Sequence, residues 1–159
     1  VIVLMMMMTT MMVMMVIVMV IMMVMVMMRT KTRNAEIKSL LFAAFIGYAF
    51  DSILVVTGVI IFPEHTSLGG PSPLWMVCLW INLISTINLS LSWLKGRYVL
   101  SGAIAAIAGP MAYIAGEKLG AITLFGNISM LIISIMWCVA MPLLIWASET
   151  FTRQQLSQE

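Results

Sequence analysis

Long apolar runs separated by short polar blocks dominate this chain. Five of them, at 1–28, 39–62, 75–94, 99–116 and 128–147, come near the roughly 20 residues a helix needs to cross about 30 Å of hydrocarbon. The pattern predicts an all-α, multi-pass transmembrane helix bundle with five spans. Residues 1–28 form a low-complexity Met/Val hydrophobic segment, and residues 29–159 a helical membrane domain. No connection between runs is long enough for a soluble domain.

Within the runs, polar and small residues fall on particular faces. In the second, Ala43, Gly47 and Asp51 recur at steps of four and share one helix face, and Gly58 extends the stripe. Small residues permit close helix approach in lipid, so this face is expected to point into the bundle. In the third run Asn82, Ser85, Thr86, Asn88, Ser90 and Ser92 occupy one arc, opposite Trp80, Leu83, Ile84, Ile87, Leu91 and Leu94. An amphipathic span is expected, with its apolar arc against lipid and its polar arc toward the bundle. That polar arc either lines a wet cavity or bonds helix to helix. In the fourth run Pro110 removes a backbone donor and should leave the Ala106 carbonyl without its helical partner; Gly109, Gly116 and Gly120 allow close approach. Pro142 does the same to Cys138 in the fifth run.

Composition agrees with a membrane protein. The chain is 63% hydrophobic and 9% charged, with a mean hydropathy of +1.13, which an ordinary water-soluble domain does not reach. The formal charge of +2 is a topology signal. Arg29, Lys31, Arg33 and Lys38 crowd the first connection, and Lys95 and Arg97 lie in the third; the second, from Pro63 to Leu74, has no Lys or Arg. By the positive-inside rule the first and third connections are cytoplasmic, which places the N-terminus outside and the C-terminus inside.

The first 28 residues hold 14 of the 19 methionines, with Val, Ile, Thr and Leu making up the rest. These residue types have codons one base from ATG, so the segment reads as a replaced or corrupted leader and an aberrant N-terminus. At about 42 Å as a helix it is long enough to span once. It lacks the basic start and small-residue cleavage site of a signal peptide.

Asp51 is the ionisable side chain placed deepest in an apolar run. A carboxylate at that depth costs roughly 2.5–3.5 kcal/mol, so its partners matter. No Lys, Arg or His lies inside another span. Its expected partners are the neutral donors of the third run's polar arc or cations reaching in from the cytoplasmic edge, while Tyr113, one turn beyond Pro110, either offers its hydroxyl to Asp51 or anchors near the outer interface. Two readings stand: a bond that fixes helix packing, or contact with an ion, proton or substrate. Glu64 and His65 are adjacent in a Pro- and Gly-rich outer loop, and one histidine without a second ligand makes no metal site. Several tryptophans, among Trp75, Trp80, Trp93, Trp137 and Trp146, fall near span ends as interfacial anchors do. Cys78 and Cys138 form no CxxC motif, and no phosphate loop, serine-base signature or zinc protease motif is present. No cofactor and no nucleic-acid partner is expected.

The order DSILVVTG, FP, SPLWMVCLW, STINLSLSWLKGR and GPMAYIAGEKLGA, over residues 39–147, resembles an uncharacterised bacterial inner-membrane family, domain-of-unknown-function family 2878. The resemblance implies a multi-pass protein of the bacterial cytoplasmic membrane with characteristic polar positions at Asp51, Ser52, Thr86, Asn88, Ser90 and Tyr113. It implies Trp75, Trp93, Gly109 and Pro110 as framework. The family pattern has room for two hydrophobic segments before the basic connection, so an intact member is expected to have six spans. With Asn82 from the polar arc, the candidate intramembrane polar site comprises Asp51, Ser52, Asn82, Thr86, Asn88, Ser90 and Tyr113. Three function classes fit it: handling of a lipid or small solute, a structural or assembly subunit with a membrane-protein partner, and an intramembrane lipid-modifying enzyme using Asp51 as acid or base.

Overall fold

The computed structural model describes residues 33–63 and 70–157, together with 10, 13–14, 16–21, 23–25 and 28. The expected span over 1–28 thus lies largely outside the described residues, as do Glu64 and His65; of that segment, Met23 packs against the core.

Four helices carry the fold: α1 (Arg33–Val56), α2 (Leu74–Leu89), α3 (Tyr98–Lys118) and α4 (Gly126–Leu156). A 3-10 turn, Ser92–Leu94, follows α2, and two short strands, β1 (Ile60–Ile61) and β2 (Thr123–Leu124), pair antiparallel. An all-α membrane bundle is therefore correct. Three stretches are long and apolar enough to cross a membrane, namely α1, α3 and Ile128–Leu156 within α4. α2 is shorter, 16 residues, or about 24 Å.

The helix ends explain where the boundaries differ from the apolar runs. The second run extends to residue 62, but α1 stops at Val56 because Gly58 adopts φ +71° and the chain closes in a Schellman turn. There the Val59 N–H reaches the Leu54 carbonyl at 2.9 Å and the Gly58 N–H reaches Val55 at 3.0 Å. Gly58 is thus a helix terminator and not part of the packing stripe. Gly120, at φ +73°, ends α3 in the same way, with Ala121 N–H on the Gly116 carbonyl at 2.9 Å. The two turns deliver the chain into β1 and β2, where Ile60 faces Leu124 and Ile61 faces Thr123. α2 ends five residues before its apolar run does, at the Ser90 C-cap, and the chain continues into the 3-10 turn over Ser92–Leu94.

Packing runs α2 on α1, α1 on α4 and α4 on α3, while α2 and α3 scarcely touch. α2 does not turn its apolar arc to lipid as expected: much of that arc is buried, and of the polar arc Ser85 is buried with it while Asn88 bonds to the neighbouring helices. Trp80, Ile84 and Ile87 are core residues, and Ser90 and Ser92 are exposed. Thr86 and Ser85 satisfy their hydroxyls on their own helix, on the carbonyls of Asn82 at 2.9 Å and Ile81 at 3.0 Å. A serine or threonine that bonds back to its own turn needs no polar neighbour, which lets the apolar face take the core.

The break at Pro110 is bridged by a neighbouring helix. The Ala106 carbonyl released by Pro110 accepts from the Ser134 hydroxyl of α4 at 2.5 Å. Near Pro142, Gly102 allows α3 to lie against the Cys138 carbonyl, since a Cβ at 102 would come within 2.8 Å of that oxygen.

Candidate intramembrane site

One residue from each helix meets at the centre of the bundle. On α1 the stripe Ala43, Gly47, Asp51 is buried as expected, with Asp51 at 0% exposure. Its Oδ2 accepts from the Trp80 indole N–H of α2 at 2.7 Å, and its Oδ1 accepts from the Tyr113 hydroxyl of α3. Trp80 in turn stacks on Trp137 of α4, with centroids 4.8 Å apart and planes 7° from parallel. The two indoles are sandwiched between glycines. A Cβ at Gly47 would fall 2.1 Å from Trp80, and one at Gly109 would fall 2.3 Å from Trp137. Any larger residue at either position would push its tryptophan out of the stack.

The local sequence makes this arrangement. Gly47 precedes Asp51 by one turn and Gly109 precedes Tyr113 by one turn, so each helix presents a flat seat for an indole directly beside a polar group. Phe50 closes the edge, T-shaped against Trp80 at 6.1 Å. Asp51 therefore has neutral donors and no cation; the ion pair found among the described residues, Arg153–Glu149 at 3.2 Å, lies outside this site. Each interhelical bond is worth on average about 0.6 kcal/mol in a membrane. A stacked aromatic pair adds about 0.5–1.5 kcal/mol beyond burial.

In front of this cluster, where α2 and α3 fail to pack, lies a cavity of about 520 Å³. Trp80, Tyr113 and Trp137 form its back wall, Trp75 and Leu79 one flank, and Ala112 part of the other. Its lining is overwhelmingly apolar. Asp51 sits behind the wall and does not line it. Of the residues expected to line a cavity, Asn82 and Thr86 therefore do so, and Asp51, Asn88 and Ser90 do not.

The expected site residues separate accordingly. Asp51 and Tyr113 are brought together. Asn82 and Thr86 border the cavity, and the Asn82 Oδ1 is enclosed without a partner, as is the hydroxyl of half-buried Ser52. Asn88 belongs to a second polar cluster, donating to Glu36 Oε2 at 2.8 Å and accepting from the Ser148 hydroxyl at 2.6 Å. Ser90 is the exposed C-cap of α2 and joins neither.

Trp80, expected on the lipid-facing arc of its span, and Trp137 are central; Trp93 and Trp146 are exposed. Glu36, among the charges that precede the second apolar run, lies in the first turn of α1 and is buried. The signal that could have found the tryptophans is the repeated glycine one turn before Asp51 and before Tyr113. Among the described residues no three His, Cys, Asp or Glu side chains come together as metal ligands would.

Fold and site together define a polytopic α-helical membrane protein with a buried carboxylate clamp behind an apolar cavity. The chain belongs to the family described as a protein of unknown function (DUF2878), whose model matches residues 1–143. The match takes in the Met-rich opening segment as well as most of the 39–147 region that carries the resemblance. No curated protein and no solved structure matches the chain.

Proposed function

We propose that this protein binds the hydrocarbon chain of a lipid or lipid-like molecule in the cavity between α2 and α3. The observation that carries the reading is the cavity itself. Its volume, about 520 Å³, falls within the range of small-molecule sites, and its walls are mainly tryptophan, tyrosine, leucine and alanine, with Asn82 and Thr86 as polar groups at its border. Such a lining offers a hydrated solute few polar groups in place of its water, so lipid handling is favoured over solute transport. Acid–base catalysis by Asp51 is disfavoured for a different reason: both of its oxygens accept from protein donors, and it has no face on the cavity.

The test uses tryptophan emission. In a Trp93→Phe/Trp146→Phe background the reporters are Trp75, Trp80 and Trp137, all of which border the cavity. Titration of detergent-solubilised protein with a brominated sixteen-carbon alcohol is expected to quench the emission saturably. Ala112→Phe, which fills the cavity, is expected to abolish the saturable component. Quenching that rises linearly with probe, or that Ala112→Phe leaves intact, would show that no chain binds there.

A further inference from the structure

Asp51 is the feature the binding reading leaves without a task. It is fully buried, it touches no ligand space, and its two oxygens go to two different helices, α2 through Trp80 and α3 through Tyr113. Those are the two helices that flank the cavity, and they have almost no contact with each other. Their separation therefore has to be set from behind. We infer that Asp51 is a positioning residue that sets the girth of the cavity by tying α2 to α3, and so selects a single linear chain over a bulkier apolar molecule. This rests on the lipid-chain reading above.

Three details support a geometric role over a charged one. The partners of the carboxylate are neutral donors, an indole N–H and a phenol O–H. The bonds are fixed in direction, because Gly47 seats Trp80 flush against α1 and the Trp137 stack closes its other side. Finally, the asparagine amide has the same shape and keeps both links. Its oxygen accepts from the Trp80 N–H, and its NH2 donates to the Tyr113 oxygen, since a phenol both donates and accepts. Leucine fills a similar space and keeps neither.

The experiment measures the affinity ratio between brominated hexadecanol and a brominated sterol, in the same two-tryptophan-deleted background. Wild type is expected to prefer the linear chain. Asp51→Asn is expected to keep that ratio within about twofold, and Asp51→Leu to lower it about three- to eightfold, the loss of one or two interhelical bonds of average strength. Tyr113→Phe, which releases only α3 and keeps the ring, should lower it by about threefold, and it decides the matter if Asp51→Leu does not fold. A ratio that Asp51→Leu and Tyr113→Phe both leave unchanged overturns the inference. So does an Asp51→Asn variant that fails as Asp51→Leu does, because the charge would then be what matters. A wild-type protein that binds neither probe overturns instead the binding reading on which this one stands.

Discussion

At the scale of single residues, the glycines at 47 and 109 matter as much as the polar groups beside them. Each is the surface on which an indole rests, and a methyl group at either would lie 2.1–2.3 Å from ring carbons that are held on their other side by the second indole. Gly47→Ala is therefore expected to destabilise the protein by about 1–3 kcal/mol, as overpacking does. It should also displace Trp80 from both Asp51 and Trp137. Near-UV circular dichroism checks this, because two parallel indoles at van der Waals distance couple their transitions and the coupled signal should disappear. Gly116 makes a useful control: an added Cβ there meets Ile122 at an ordinary 3.5 Å, so Gly116→Ala should leave that signal unchanged.

At the scale of elements, the carbonyl freed by Pro110 is answered by a neighbouring helix. Pro110 leaves the Ala106 carbonyl to Ser134, so Ser134→Ala should cost about 1 kcal/mol in thermal or denaturant unfolding. The same change in a Pro110→Ala background should cost much less, because alanine brings back the N–H that the Ala106 carbonyl lost. A double-mutant cycle reads the difference directly. At about 24 Å α2 falls short of a typical hydrocarbon core of about 30 Å, and the exposed serines at 90 and 92 mark its end. Thermal stability is expected to be higher in bilayers of short-chain lipids than in those of long-chain lipids, since mismatch costs a fraction of a kcal/mol per Å. Equal Tm values across a chain-length series would show that α2 is not the element that meets the bilayer mismatch.

At the scale of the whole molecule, two polar clusters tie together helices that apolar packing alone would leave free to slide. The central one joins α1, α2, α3 and α4 through Asp51, Trp80, Tyr113 and Trp137. The other joins α1, α2 and α4 through Glu36, Asn88 and Ser148, near the end of α1 that bears Arg33 and Lys38. Asn88→Ala strips Glu36 of a donor and Ser148 of an acceptor, and is expected to cost about 1–3 kcal/mol. Glu36→Gln can still accept from Asn88 and should cost clearly less. Unfolding of the two variants in the same detergent distinguishes them.

What was legible in the sequence, and what was not, divides along a physical line. The helical runs, the inward stripe of Ala43, Gly47 and Asp51, and the orphaned Ala106 carbonyl all follow from local periodicity and backbone chemistry. For Tyr113, one turn beyond Pro110, the sequence leaves open a donor to Asp51 or an interfacial anchor, and the structure has it donating. Periodicity also shows which residues of α2 share a face, but not which face the bundle takes. In water an apolar arc has only one favourable destination. In a membrane, lipid and protein core are equally apolar, and the choice falls to packing and hydrogen bonding between helices. Only the tertiary structure could therefore turn Trp80, Ile84 and Ile87 inward, bury Glu36 against Asn88, and hold α2 and α3 apart so that a cavity remains between them.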